Sequence, residues 1–218
     1  MKTNADLQKD VQDAIKWEPL LNAAEIGVIA KDGVVTLTGI VDSYAKKMEA
    51  ETAAKSVVGV KAVVEKIEVK FSNSFKKSDT DIANDALKGF KSTWDVPDDK
   101  IKITVENGWA TLEGEVPWNF QREAAKNVVN NLIGVKGVTN NIKIKPNIQD
   151  TIEQRAIEHA LARNWAVDDE DIHVHVSGSK VKLDGKVHSF YQKEEAGRIA
   201  WNAPGVFAVD NELVIEYD

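Results

Sequence analysis

Cysteine is absent from all 218 residues. That excludes a disulfide framework, thiolate metal sites and cysteine nucleophiles, and it fits a reducing compartment. Long apolar runs are missing too: no stretch approaches the roughly 18–20 apolar residues that span a bilayer. The opening Met1-Lys-Thr-Asn-Ala-Asp-Leu-Gln-Lys-Asp10 carries no apolar core of a signal peptide. A soluble, cytoplasmic protein is therefore the expectation, and a leader removed in maturation would be compatible with an envelope role. Basic excess is the third absence. The formal net charge is -7, with ten basic against eleven acidic residues over 1–75, eleven against ten over 76–146, and seven against fourteen over 147–218. Duplex nucleic acid needs a basic face, so nucleic acid is excluded as the expected partner. A purely electrostatic attraction to anionic lipid is weakened for the same reason.

What the chain does have is one stretch written three times. Gly33-Val-Val-Thr-Leu-Thr-Gly39, Gly108-Trp-Ala-Thr-Leu-Glu-Gly114 and Ser179-Lys-Val-Lys-Leu-Asp-Gly185 are followed, 20 residues after each final glycine, by Gly59-Val60, Gly134-Val135 and Gly205-Val206. A repeat of about 71 to 75 residues predicts three small domains, 1–75, 76–146 and 147–218. Each is near the lower size for a self-sufficient core, so packing between units is expected to add stability.

Within a unit the pattern predicts α-β-β-α-β. Leu7, Val11, Ala14 and Ile15 mark one face of a helix. Ile26, Val28 and Ala30, then Val35 and Leu37, alternate around the turn residues Lys31-Asp32-Gly33 as a hairpin. A second helix over about 43–58 ends at Gly59, and Val63, Ile67 and Val69 mark a third strand. Ile15 to Ile26, Phe90 to Ile101 and Leu161 to Ile172 are all eleven residues apart, so the units share one register. The fold class is α+β: three tandem domains, each a three-stranded sheet covered on one face by two helices. Boundaries are placed at Ser72–Ser78 and Pro146-Asn147. Gly39, Gly114 and Gly185 are read as backbone requirements where the second strand leaves the sheet. They bracket a strand and do not open a helix as phosphate loops do.

The motif Gly-x-Val-x-Leu-x-Gly-x-Val resembles the BON domain, a family of bacterial modules in osmotically inducible and envelope-associated proteins. It stands here as Gly33-Val35-Leu37-Gly39-Val41 and Gly108-Ala110-Leu112-Gly114-Val116. The closing motif stands as Gly134-Val135-Val138-Asn140-Ile142 and Gly205-Val206-Val209-Asn211-Leu213. Ser179 and Glu65 depart from it, in place of glycine and asparagine. The resemblance implies a domain without catalysis that interacts with phospholipid or membrane surfaces in stress-linked proteins. A protein scaffold or self-associating module is the alternative.

Residues that break their own repeat are the candidate contacts. Trp118 replaces Ser43 and Ser189, positions suited to helix N-caps. With Phe120 and Arg122 it suggests an aromatic pair beside a cation, for a lipid interface or a protein partner. Packing against an adjacent unit is the competing explanation. Trp109 replaces Val34 and Lys180 on the outer face of the hairpin, and Trp201 replaces Lys55 and Asn130 on a helix face expected to point outward. Trp94 and Trp165 are equivalents, expected at the core edge.

His173 and His175 share the outer face of a strand. Two ligands do not make a structural zinc site, so no metal is expected. Asp168-Asp-Glu-Asp171 lacks the spaced ligands and glycine of a calcium loop. No nucleophile–base pair or cofactor loop forms a constellation, so neither catalysis nor a cofactor is expected.

Overall fold

The computed structural model describes residues 2–72, 76–145, 152–164, 167 and 171–216. The expected element order appears in every repeat. The first has α1 (Asn4–Trp17), β1 (Ile26–Lys31), β2 (Val34–Val41), α2 (Tyr44–Ser56) and β3 (Ala62–Val69). The second has α3 (Asp79–Ser92), β4 (Ile101–Glu106), β5 (Trp109–Val116), α4 (Asn119–Asn130) and β6 (Gly137–Ile144). The third has α5 (Gln154–Ala162), β7 (Ile172–Ser177), β8 (Lys180–Val187) and α6 (Phe190–Trp201), and its last strand is broken into β9 (Ala208–Asn211) and β10 (Val214–Ile215).

Local chemistry explains where these elements start. α1 and α3 open with capping boxes, Thr3 with Asp6 and Ser78 with Asp81, which satisfy two orphan N–H groups each. They bury one residue per turn thereafter: Leu7, Val11 and Ile15, then Ile82, Ala86 and Phe90. The hairpin turns Asp32-Gly33 and Asn107-Gly108 have positive φ at both residues, the backbone that matches strand twist. Each turn is tied to the start of its own first helix. Asp32 N–H donates to Asn4 Oδ1 at 2.8 Å, and the N–H groups of Asn107 and Gly108 donate to the Asp79 carboxylate at 2.7 and 2.9 Å.

The hairpin's second strand is central in each sheet, with orders β1-β2-β3 and β4-β5-β6, and β8 between β7 and the β9 and β10 pair. β5 is antiparallel to β4 and parallel to β6; β8 repeats that arrangement with β7 and with β9 and β10. Strand residues alternate buried and exposed, and the helices cover the buried face. The repeating glycines lie inside the central strand, opposite Ile26, Ile101 and Ile172, and not at its exit as the sequence suggests. At Gly114 φ is +145°, and a Cβ would overlap the carbonyl oxygen of Lys100, so a side chain is excluded by both angle and space. Gly39 and Gly185 repeat this relationship.

The asparagine shared by the second and third repeats has a structural use. Asn140 and Asn211 donate from Nδ2 to the carbonyls of Arg122 and Lys193, and their Oδ1 atoms accept from Ile142 and Leu213 N–H. Each asparagine thus ties the last strand to the second helix. Glu65 accepts from Ile67 N–H but has no donor for the other half of the link.

Contacts divide the chain into two compact units, 1–40 with 48–68 and 149–218, and 41–47 with 69–148. The first and third repeats therefore share a unit although they are not neighbours in sequence. Within it Lys55 Nζ on α2 donates to Glu194 on α6 at 2.7 Å. Among the described residues no helix is long and apolar enough to cross a membrane. The boundary at Pro146-Asn147, residues 73–75 of the linker, Trp165 and residues 168–170 of the acidic cluster lie outside the described residues.

Candidate functional site

α4 begins without a cap. At the equivalent positions Ser189 Oγ accepts from Gln192 N–H at 3.2 Å and Ser43 Oγ from Lys46 N–H at 3.4 Å. Trp118 occupies the N-cap of α4 with no side-chain hydrogen bond to the helix. Its indole instead lies 6.5 Å from the ring of Phe120, nearly parallel at 25°, and both side chains stand exposed, at 39% and 43%. An offset aromatic pair of this kind holds its two rings as one apolar surface.

The first turn of α4 carries further costs. Asn119 is buried, and its Oδ1 and the Gln121 Oε1 have no hydrogen-bond partner among the described residues. A missing cap costs about 1 kcal/mol and each unsatisfied buried acceptor about 1–3 kcal/mol. Local departures from stability of this kind concentrate at functional sites.

Arg122 does not complete the expected trio. Its side chain is largely covered, and its Nε donates to Glu123 at 3.2 Å, so it presents no unneutralised charge beside the aromatic rings. Trp109 is on the outer face of the second sheet, half exposed, with its indole over Gly137 of the neighbouring strand. Trp201 corrects an expectation: its face of α6 is not outward, and the side chain is partly buried against the core of the third repeat. The structure thus brings Trp118 and Phe120 together and leaves Arg122, Trp109 and Trp201 in separate settings.

Trp94 is also corrected. It is 90% exposed, because α3 ends at Ser92 and the extended Thr93 carries the chain outward before Val96 returns to the core. Trp17, the last residue of α1, is 84% exposed and was not singled out by its position in the repeat. A helix-terminal tryptophan two positions beyond the last buried residue, Ile15, is the signal that would have found it.

His173 and His175 occupy the outer face of the third sheet as expected. His175 Nε2 lies 3.0 Å from the Asp184 carboxylate, and among the described residues no cluster of three or more metal-ligating side chains forms. The outer face of the first sheet differs in character. Ile29, Ile40 and Val64 are exposed there, where the second repeat has Thr104, Glu115 and Thr139 and the third has His175, Lys186 and Asp210.

The BON domain family model matches residues 3–70, 78–146 and 149–217. Osmotically-inducible protein Y of Escherichia coli (strain K12) is 33% identical over 129 residues, a match that covers 57% of this chain and 64% of that protein's length. Among solved structures, two of CdsD, a structural protein of the type III secretion system of Chlamydia trachomatis, align at low identity. One, the C-terminal domain, is 15% identical with a TM-score of 0.27, covering 99% of this chain and 100% of that one. The other is 16% identical with a TM-score of 0.24, covering 98% and 93%. These superpositions are too loose to transfer anything.

Proposed function

The chain belongs to the BON domain family, and on that premise we propose that it is a non-catalytic, stress-associated binding protein that docks on phospholipid surfaces through Trp118 and Phe120. Its three modules are read as 1–75, 76–146 and 147–218, and the association with osmotic stress is drawn from the osmotically-inducible relative. The observation that carries the reading is the exposed, stacked aromatic pair at an uncapped helix start.

Magnitudes set the mode of binding. Full burial of a large apolar side chain is worth about 1.5–3 kcal/mol, so two half-exposed rings supply roughly 2–3 kcal/mol, well short of the ~8 kcal/mol of micromolar affinity. Binding by this site is shallow and reversible, and because Arg122 is already neutralised it depends weakly on salt. Trp94 adds a further exposed indole in the same repeat.

Liposome flotation at high lipid concentration tests the proposal, with neutral and anionic vesicles at low and high salt. Co-flotation that is lost in Trp118→Ala and Phe120→Ala supports it. Absence of flotation under every condition sinks direct lipid binding.

The second reading is a self-associating or protein-binding module, favoured by the apolar outer face of the first sheet. Ile29 is 60% exposed and Ile40 50%, at positions that are polar in both other repeats. Sedimentation equilibrium of the chain and of Ile29→Lys decides it. A dimer that dissociates in the variant supports this reading, and a monomer at all concentrations removes self-association.

A further inference from the structure

A groove of about 540 Å³ runs between α5 and α6 of the third repeat. Its lining is apolar at Ala156, Ile157, Ala160, Ile199, Ala203 and Pro204, and polar at Asn202 and, toward the end of α5, at Arg163, Asn164 and Arg198. The polar end is organised by one carboxylate. Glu195 accepts from Asn164 Nδ2 at 2.7 Å and from Arg198 Nε and Nη2 at 2.7 and 2.5 Å. The Arg198 hydrogen bonds, with a smaller contribution from Asn164, hold that carboxyl below its ordinary range against partial burial. Arg163 is exposed and has no side-chain partner among the described residues. Among the described residues Arg163, Arg198 and Glu195 sum to one positive charge, with guanidinium N–H groups still unused on both arginines.

The other two repeats act as internal controls. Where the third has Ala156, they have Asp10 and Asp85, each in an ion pair, with Lys2 at 2.6 Å and with Lys77. Where it has Arg163 they have Trp17 and Ser92, and where it has Arg198 they have Thr52 and Asn127. The second repeat has Gly89 at the position of Ala160, and a Cβ there would lie 2.5 Å from Val128 Cγ1. The glycine thus lets α4 approach α3 closely at that point. In the third repeat the same two positions are Ala160 and Ile199, and both line the groove. Arginine occurs only four times in the chain, and two of the four line this groove, within the most acidic third of the sequence.

We propose that this groove binds a single-chain fatty carboxylate, with its tail on the alanine and isoleucine floor and its head on Arg163 and the free edge of Arg198. The volume lies within the range of small-molecule sites, and an apolar lining with a few convergent polar groups is their usual composition. A single carboxylate matches both the single net charge and the planar donor fork of arginine. The site is independent of the aromatic pair on α4, so either can fail alone.

The test is calorimetric titration of the full chain with dodecanoate below its micellar concentration, beside acetate and dodecanol. Saturable one-to-one binding of dodecanoate, with acetate silent and dodecanol weaker, is the expected result. Arg163→Ala removes an exposed side chain and should weaken dodecanoate by about tenfold, the usual scale of one charge-assisted contact. Ala160→Leu, checked for folding by circular dichroism, should abolish binding by filling the floor, and Trp118→Ala should leave it unchanged. No saturable binding, equal affinity for dodecanol, or binding indifferent to both groove variants would overturn the proposal.

Discussion

Trp109 and Gly137 face each other across β5 and β6, and the indole occupies the space where a Cβ on residue 137 would be. The pair is compensated within the repeat series: the equivalent partners are Val34 with Ala62 and Lys180 with Ala208. The largest side chain at this position coincides with the smallest opposite it. A tryptophan that looks like a surface contact in sequence thus has one face committed to its own sheet.

Gly137→Ala should therefore destabilise the second repeat by about 1–3 kcal/mol, the usual cost of overpacking. The same substitution in a Trp109→Val background should cost almost nothing, because Val34 with Ala62 already shows that combination in the first repeat. Urea denaturation of the four proteins of this double-mutant cycle gives the coupling. Additive effects would show that the indole does not rest on Gly137.

Trp118→Ser installs at α4 the cap that Ser43 and Ser189 provide elsewhere. Stability should rise by about 0.5–2 kcal/mol while liposome flotation falls. A chain that is both more stable and still bound to vesicles would separate the aromatic pair from lipid binding.

Asp79 joins α3 to the β4–β5 turn by accepting from two backbone N–H groups. Asp79→Ala leaves both donors without their partner and should cost about 1–3 kcal/mol. Asp79→Asn should retain more of the link, since Asn4 makes the corresponding bond with one oxygen in the first repeat. Amide hydrogen exchange at Asn107 and Gly108 reports the loss directly, and unchanged protection in Asp79→Ala would refute the role.

Glu49 titrates above its ordinary 4.5, first because it is partly buried and second because it shares a hydrogen bond with Glu18. The folded chain holds this proton to a higher pH than the unfolded chain does. Its favourable contribution is thus complete below the ordinary glutamate value and is lost as pH rises through the raised one. Glu49→Gln removes that penalty, so its Tm should exceed that of the parent at neutral pH, and the gain should shrink as pH falls toward 4.5. A gain independent of pH would assign the effect to something other than the carboxyl pair.

Much of this architecture is legible without coordinates, for reasons that are local. The eleven-residue interval from Ile15 to Ile26, repeated from Phe90 and from Leu161, reflects the length of a helix end and a turn. Gly114 is required by its own φ and by the carbonyl of Lys100. Ser189 caps the helix that follows it, and its replacement by Trp118 marks an exception in one line of sequence. Short-range constraints of this kind recur wherever the repeat recurs, and alignment of the repeats exposes them.

Exposure and partnership needed the tertiary structure. Trp94 is outside the core because the extended Thr93 ends α3 and the chain returns to the core only at Val96, and Trp201 is partly inside it because α6 presents that face to the third core. Arg122 is covered and paired with its neighbour Glu123. The groove between α5 and α6 is lined by residues of both helices, Ala160 and Ile199 among them, and the link from Lys55 to Glu194 joins residues 139 positions apart. Periodicity along one chain specifies which face of an element is apolar. Which residues meet across elements is decided by volumes and distances that exist only once the chain has folded.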